Sequence, residues 1–287
     1  MDAGPWHTGE LRAQELAGNA HAGGGGAGIR DFLPDQHRLF FSQIPFLVAA
    51  TVDADNAPVA TLLVGGAGFV GSPDPRSLAI AAVAADPSGQ HLKAGAPIGL
   101  LGIQLETRRR NRANGQIAFA AEGGLLATVR QSFGNCPQYI HPRHLVVEPG
   151  AEPFETFAGL DEAARAQIAA ADTFFVATGS GPRVENGGVD ISHRGGPPGF
   201  VRIEGDELVI PDYRGNRYFN TLGNLLMEPR AALLFVDFAA GRMLQLQGTA
   251  EVLWDTHDLP HAERTWRFKV SGGWRGPAGL RQSDPVD

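Results

Sequence analysis

The sequence contains one cysteine, Cys136, among 287 residues, so an intrachain disulfide is impossible. Such low cysteine usage is typical of reducing compartments and favours a cytoplasmic location. The first residues hold no basic segment followed by an apolar stretch, so we expect no signal peptide. No apolar run approaches the ~18 residues that a membrane helix needs, so we expect no contact with a membrane.

Positive charge is also scarce, because 24 Lys and Arg stand against 31 Asp and Glu and give a net charge of −7. A mildly acidic chain has no general attraction for nucleic acid, so any anion site must be local. The nine histidines form no zinc-binding pattern, and His141 with His144 is a weak pair. Neither a Gly-x-Ser-x-Gly elbow nor a dinucleotide fingerprint occurs between a strand and a helix. We therefore expect no metal site and no nucleic-acid partner.

Glycine and proline are abundant, with 38 and 20 residues, whereas average usage of glycine is ~7%. This predicts a mainly β protein with many turns and short helices. Helical patterns occur over residues 10–17, 34–42 and 154–171. The four glycines of residues 23–26 predict a flexible loop.

The second half of the sequence repeats the first. Residues 46–51 resemble 174–178, residues 65–70 match 196–201, and residues 100–115 align without a gap onto 233–248. The three matches keep their order, and their offset stays between 127 and 133 residues. Three matches in register predict a duplication; one continuous β-sandwich with chance similarity is the alternative. The predicted division is an N-terminal extension, a first β domain, a second β domain and a C-terminal tail, over residues 1–33, 34–148, 149–255 and 256–287.

The second repeat holds the densest polar signal. Residues 190–196 end a strand with a glycine pair, which lets backbone amides approach a ligand. Residues 212–221 then lead into a helix and place Arg214, Arg217 and Asn220 at its start. Arginine forks and open amides at a helix N-terminus suit a phosphate group. The alternative, favoured by this segment alone, is a helix cap with solvated arginines.

These segments carry a family resemblance. Residues 190–201 and 210–226 look like the signature of the FMN-binding relatives of pyridoxamine 5'-phosphate oxidase. The segments at 228–235, 131–140 and 6–10 resemble the same relatives. The resemblance implies two tandem split β-barrels that hold FMN between them. Comparison of the two repeats further predicts that the second barrel holds the flavin phosphate and that the first is degenerate. Where the second has residues 192–195 and 214–221, the first has the uncharged residues 61–64 and a segment, residues 86–93, that begins with Asp86 and holds only Lys93 as a basic residue.

Individual positions can be carried over from the family. Its Arg-Lys phosphate pair falls on Asn220 and Thr221, which are neutral, so neighbouring arginines must supply the charge. Its Arg-Gln strand pair falls on Arg242 and Met243, and Gln245 shares the strand face of Met243. The expected cofactor-binding residues are therefore Ser192, His193, Arg194, Gly195, Arg214, Asn216, Arg217, Asn220, Thr221, Arg242 and Gln245.

A basic run in the first repeat, residues 108–112, has two interpretations. The common one is a solvated hairpin. The repeat alignment instead places Arg110 opposite Met243 and Arg112 opposite Gln245, which would turn both arginines towards a cleft between the barrels. In that case they would bind an anionic ligand.

The resemblance predicts an FMN-binding oxidoreductase that acts on a small molecule. The oxidase's arginine-rich substrate segment has no counterpart after Trp254, so we do not expect pyridoxamine phosphate as substrate. Alternatives are a flavin carrier or sensor without turnover, and a related barrel that uses a deazaflavin or haem. No nicotinamide-binding domain is visible, so the electron donor would be external. No side chain stands out as an acid or base, and Cys136 fits a buried apolar position better than a reactive thiol. Because split barrels leave an apolar face to cover, we expect a homodimer, unless two barrels of one chain cover each other.

Overall fold

A computed structural model describes residues 4–19, 26–255 and 259–283 of the chain. Two helices and a seven-stranded sheet make up its first half. Their bounds are α1 (Thr8–Leu16), α2 (Asp35–Gln43), β1 (Phe46–Val52), β2 (Pro58–Val64), β3 (Val70–Gly71), β4 (Ser77–Ile80), β5 (Pro97–Gln104), β6 (Arg109–Ala121) and β7 (Gly124–Gly134), with a short 3-10 helix (Pro87–His91) between β4 and β5. Of the loop predicted at residues 23–26, residues 23–25 lie outside the described residues.

An eight-stranded sheet forms the second half. Its elements, with two flanking strands that pair with each other, are β8 (Leu145–Val147), β9 (Glu155–Ala158), α3 (Glu162–Ala170), β10 (Thr173–Gly179), β11 (Val189–Gly195), β12 (Arg202–Glu204), β13 (Glu207–Tyr213), α4 (Asn220–Met227), β14 (Arg230–Asp237), β15 (Arg242–Leu253), β16 (Ala262–Pro277) and β17 (Leu280–Gln282).

The two sheets have the same strand order. The first runs β2-β1-β5-β6-β7-β4-β3 and the second β11-β10-β14-β15-β16-β13-β12, with β9 added at β16. The predicted fold, two tandem split β-barrels in a mainly β chain, is confirmed. One detail of the repeat alignment was wrong, because Phe174 corresponds to Leu47 and not to Phe46. Leu47 pairs with Gly102 of β5, and Phe174 pairs with Phe235 at the equivalent place in β14.

The central strands of each barrel are buried on both faces. Alternate residues of β1 divide between two cores, with Leu47 inside the first barrel and Val48 in a cluster shared by both barrels. In β10, Phe174 likewise lies inside the second barrel and Phe175 in the shared cluster. Such strands read as continuous apolar runs because neither face meets water. The apolar face of each barrel is thus covered by the other barrel of the same chain.

The sequence analysis predicted a C-terminal tail over residues 256–287, and this prediction is wrong. Ala262–Pro277 is the sixteen-residue strand β16, which pairs with β15, β13 and β9. Gly272 and Gly273 lie within this strand. In the structure these glycines let strands approach closely, since a Cβ on Gly273 would meet the carbonyl oxygen of Gln245. No helix in the described ranges is long and apolar enough to cross a membrane.

The N-terminal helix α1 packs against α4 of the second barrel. The contact requires two glycines, since a Cβ on Gly9 would meet the carbonyl oxygen of Gly223, and a Cβ on Gly223 would lie 2.6 Å from the Cα of Glu10. The close fit fixes Glu10 beside the first residue of α4. Elements from three parts of the chain therefore meet at the start of α4: α1, the first barrel and the second barrel.

Candidate functional site

A small cavity of about 90 Å³ lies where β6 of the first barrel meets β11, the end of β13 and the start of α4. We call it the arginine pocket, because five arginines line it from four different elements or loops: Arg110, Arg112, Arg194, Arg217 and Arg264. Two carboxylates, Asp212 and Glu263, are also in its wall. The excess of positive charge fits an anion in a chain that is acidic as a whole.

Arg112 crosses from the first barrel into the second. Its Nη1 donates to both carboxylate oxygens of Asp190, at 2.9 and 2.8 Å, and its Nη2 donates to the hydroxyl of Ser192. The guanidinium also stacks on the ring of Phe133, with 5.4 Å to the centroid. Burial lowers the pKa of Arg112, and the charge of Asp190 opposes that effect. A buried guanidinium needs such partners, because an unpaired charge is costly away from water.

Arg110 has a neutral partner instead. Its Nη1 donates to Nδ1 of His193 at 2.8 Å. Burial, followed by the charges of Arg110 and Arg194, holds the pKa of His193 well below its usual value, so the ring is neutral. Because Nδ1 accepts a hydrogen bond, the proton of the neutral ring is assigned to Nε2. That atom is buried and without a hydrogen-bond partner in the described chain, as is Nε of Arg110.

A carboxylate shared by two arginines forms the third part of the pocket. Asp212 accepts from Arg194 at 2.8 Å and from Arg264 at 2.7 Å. Arg264 comes from β16, so the sequence prediction, which ended the second barrel at residue 255, missed it. Arg264 also donates to Glu263 at 3.1 Å, so two carboxylates balance these two guanidinium groups. Nε of Arg194 is nevertheless buried without a partner among the described residues.

The N-terminus of α4 opens into the same pocket. The residue before the helix, Phe219, has φ 60°, and no side chain of the described residues caps the helix there. Thr221 donates its hydroxyl to Ser192 Oγ at 2.8 Å. An uncapped helix start presents unpaired N–H groups and a partial positive charge, both of which favour an anion.

A larger cleft of about 1020 Å³ lies between the barrels on the other side of Asn220, which lines both cavities. We call it the interbarrel cleft. Its walls come from β6 and β7, from the glycine-rich loop between β10 and β11, and from the N-terminal segment, including His7 and Glu10. Ligand pockets usually measure ~300–1000 Å³, so the cleft can hold a small organic molecule, whereas the arginine pocket can hold an end group such as a phosphate.

His7 and Glu10 form the capping box of α1. The imidazole Nδ1 of His7 accepts from the backbone N–H of Gly9 at 3.1 Å, and the carboxylate of Glu10 accepts from the backbone N–H of His7 at 3.0 Å. Both residues are 4% exposed. Burial raises the pKa of Glu10 to about 7 and lowers that of His7. Sequence reasoning missed this acid; its position three residues after His7, the spacing of a capping box, was the available signal.

The structure brings most of the predicted site residues together. The arginine pocket is lined by Ser192, His193, Arg194, Asn216, Arg217, Asn220 and Thr221 from the second barrel, and by Arg110 and Arg112 from the first. The interpretation of residues 108–112 as a solvated hairpin is therefore wrong for Arg110 and Arg112. Asn216 also donates to Asn135 Oδ1 at 3.3 Å, and Arg217 donates to Asn19 Oδ1 at 2.9 Å.

Four predicted residues lie elsewhere. Arg242 pairs with Glu152, and Arg214 offers its backbone oxygen to Tyr139 from an exposed loop. Gly195 packs against the carbonyl oxygen of Tyr139. Gln245 is fully buried and accepts from the N–H of Ala60 at 2.6 Å, in the first barrel. The family's strand pair therefore does not contribute to the arginine pocket.

Cys136 is half-buried and lines the arginine pocket, so the prediction of a buried apolar position holds only in part. Nε2 of His141 donates to the carbonyl oxygen of Gly196 at 2.9 Å. The described residues contain no group of three or more His, Cys, Asp or Glu side chains placed to hold a metal ion.

Gln245 marks the equivalent place in the first barrel. Gln245 pairs with Leu234, and Arg112 pairs with the equivalent residue of the first barrel, Leu101, so Gln245 is the counterpart of Arg112. By the same comparison of strand register, Thr61 is the counterpart of Ser192. There Asp86 is buried, accepts from the hydroxyl of Thr61, and accepts from the backbone N–H of Ser88 at 2.8 Å. A carboxylate of the chain thus stands at the start of the short 3-10 helix, in the place that corresponds to the arginine pocket.

Residues 33–153 and 160–284 each match the family model described as Pyridoxamine 5'-phosphate oxidase. No curated protein matches the chain. Among solved structures, HupZ of Group A Streptococcus is 15% identical over 39% of this chain and 90% of its own, with a TM-score of 0.30. A FAD-binding protein of Mesorhizobium loti is 12% identical over 46% and 99%, also with a TM-score of 0.30. A proposed pyridoxamine 5'-phosphate oxidase of Corynebacterium glutamicum is 13% identical over 45% and 98%, again at 0.30.

Proposed function

Because this chain belongs to the pyridoxamine 5'-phosphate oxidase family, matched by both of its halves, we propose that it binds FMN between its barrels and acts as an oxidoreductase on a small molecule. The observation that carries the proposal is the arginine pocket, where guanidinium groups outnumber carboxylates at an uncapped helix start. When bound, FMN supplies the redox chemistry, and the protein supplies binding, orientation and electrostatics.

The residues of the arginine pocket fit the phosphate of FMN. Arg110 and Arg194 each keep a buried Nε without a partner in the described chain, and the neutral His193 keeps an Nε2–H in the same state. Buried donors of this kind are satisfied by an oxyanion that brings several acceptors. Ser192 and Thr221 add hydroxyls at the start of α4.

The volume of the arginine pocket favours FMN over FAD. About 90 Å³ suits a terminal phosphate, whereas the diphosphate of FAD continues into an adenosine that needs further space. The interbarrel cleft, about 1020 Å³, offers room for a substrate or for an external electron donor.

The test of cofactor binding compares three flavins. Fluorescence titration of the purified full chain should give FMN an affinity at least about tenfold higher than riboflavin, because a charge-assisted phosphate contact contributes roughly 1.5–3 kcal/mol. FAD should bind more weakly than FMN. Equal affinities for FMN and riboflavin would remove the arginine pocket from the proposal.

The test of turnover uses the FMN-loaded protein. Anaerobic stopped-flow absorbance, with NADH and NADPH as separate donors, should show flavin bleaching, and subsequent mixing with oxygen should restore the colour. A protein that holds FMN tightly, yet is reduced no faster than free FMN by either donor, would be a carrier or sensor and not an oxidoreductase.

A further inference from the structure

Glu10 is held at the boundary between the two cavities. The close contact of Gly9 with Gly223 leaves α1 little freedom to slide along α4. Glu10 lines the interbarrel cleft, and its carboxylate accepts a hydrogen bond from Nδ2 of Asn220, the first residue of α4. Asn220 in turn lines both the cleft and the arginine pocket.

The amide of Asn220 connects Glu10 to the arginine pocket. Its Oδ1 accepts from Nη1 of Arg112 at 3.3 Å, while its Nδ2 donates to Glu10. Arg112 then reaches Ser192, whose hydroxyl accepts from Thr221. A continuous chain of hydrogen bonds therefore runs from the carboxylate in the cleft to the hydroxyls at the helix start.

The charges along this chain are not balanced. Three charged or titratable groups face Glu10: His7 of its own segment, Asp190 of β11 and Arg112 of β6. From α4 it meets the uncharged amide of Asn220. Arg112 is already paired with Asp190, so one guanidinium serves two buried carboxylates. With the pKa of Glu10 near 7, its charged and neutral forms are both populated near neutral pH.

We propose that binding of an anion in the arginine pocket is coupled to proton uptake by Glu10, through Asn220 and Arg112. The inference rests on the proposed function only in using the arginine pocket as the anion site. A bound anion adds negative charge near Glu10 and shares the positive field of Arg112, and both effects favour the neutral carboxyl. By linkage, protonation of Glu10 strengthens anion binding by the same factor.

The affinity for the anion should fall as the pH rises. Below about pH 7 Glu10 is protonated before the anion arrives, and affinity is at its higher level. Above that pH Glu10 is ionised in the unbound protein, and affinity falls with rising pH. It levels off once the pH exceeds the higher pKa that Glu10 has in the complex.

Sulfate is the anion used to probe the arginine pocket, because its own charge does not change near neutral pH. Calorimetric titrations of the full chain should give a sulfate affinity that falls at least about fivefold between about pH 6 and about pH 8. This window stays below the pKa of Arg110, which burial lowers to about 9. Titrations in two buffers of different ionisation enthalpy should show net proton uptake near neutral pH.

Two variants separate this coupling from a structural role. Glu10→Gln keeps the capping box, since glutamine also fills that position, but cannot titrate. Its sulfate affinity should be independent of pH and match the high-affinity level of the wild type. Glu15→Gln, an exposed glutamate of the same helix that pairs with Arg12, should behave as the wild type.

The outcomes distinguish this inference from the proposed function. An unchanged pH profile in a folded Glu10→Gln variant overturns the coupling and leaves the anion site in place. Absence of sulfate binding by the wild type across the whole range, with FMN no tighter than riboflavin, overturns both.

Discussion

At the scale of single residues, Arg110 is the most unusual group in the structure. It is half-buried beside a neutral histidine, its Nε is buried and unpartnered in the described chain, and burial lowers its pKa to about 9. A buried charge that lacks a counter-charge destabilises the fold. In the proposed function, a bound phosphate would supply the missing negative charge, so Arg110 would favour anions in the pocket.

Replacing Arg110 by glutamine should therefore weaken FMN binding about tenfold or more, while riboflavin binding changes little, because the lost contact is charge-assisted. Arg109→Gln is the matched control: it neighbours Arg110 on β6, but its side chain is exposed and lies over the ring of Phe40. Fluorescence titration of both variants with both flavins makes the comparison. Equal losses of FMN affinity in the two variants would contradict a specific role for Arg110.

Glu10 makes a second residue-scale prediction, which needs no ligand. Its pKa is raised from 4.5 in the unfolded chain to about 7 in the folded protein, so the folded state binds more protons between these values. The free energy of unfolding should then fall as pH rises through this range, by up to about 3 kcal/mol from this group. Urea denaturation at several pH values should show Glu10→Gln losing much of that fall. If the free energy of unfolding fell equally with pH in the wild type and in the variant, Glu10 would not titrate in this pH range.

At the scale of elements, α1 acts as a fixed wall of the interbarrel cleft because two glycines let it approach α4. Gly9→Ala should release it, since the new methyl group would meet the carbonyl oxygen of Gly223. We expect the free energy of unfolding to fall by about 1–3 kcal/mol, as is typical when an extra methyl group is forced into a packed contact. Hydrogen exchange followed by mass spectrometry should show α1 exchanging faster while the sheets stay protected.

Gly66→Ala is the control for that experiment, because a Cβ there meets no atom within 4 Å. Unchanged exchange in α1 of the Gly9→Ala variant would mean that the helix accommodates the methyl group by a small shift.

Sequence reasoning found the elements whose local pattern is strong. The strand–glycine signature of β11, the arginine-rich approach to α4 and the alternation along β6 placed His193, Arg217 and Arg112 at one pocket. It missed β16, whose two glycines fit only because neighbouring strands lie too close for a Cβ, a contact that the sequence does not show. It also missed Glu10, because a capping box by itself does not reveal that both of its side chains are buried against another domain.

At the scale of the whole molecule, pairing of the barrels within one chain bears on the expected homodimer. The reason for that expectation was an uncovered apolar face, and the shared core of Val48, Phe175 and their neighbours already covers it. We therefore expect a monomer of 30.4 kDa by light scattering at micromolar concentration. A mass of twice that value would require a different interface from the one between the barrels.

The unequal barrels also predict one flavin per chain. In the first barrel the carboxyl group of Asp86 occupies the position that corresponds to the arginine pocket and already accepts the hydrogen bonds there, so a phosphate would have to displace it. Flavin absorbance compared with quantitative amino-acid analysis should give a ratio near one after saturation with FMN. Two FMN molecules per chain would show that a second phosphate displaces the side chain of Asp86.

The covalent link between the barrels has a further consequence for how such a protein can diverge. In a homodimer, symmetry repeats every substitution in both subunits, so a change that fills one cofactor site fills its mate. Here Arg112 and Gln245 occupy matching places yet belong to separate codons, as do Ser192 and Thr61. Two barrels in one chain can therefore accept different substitutions at matching places, as these two pairs of residues show.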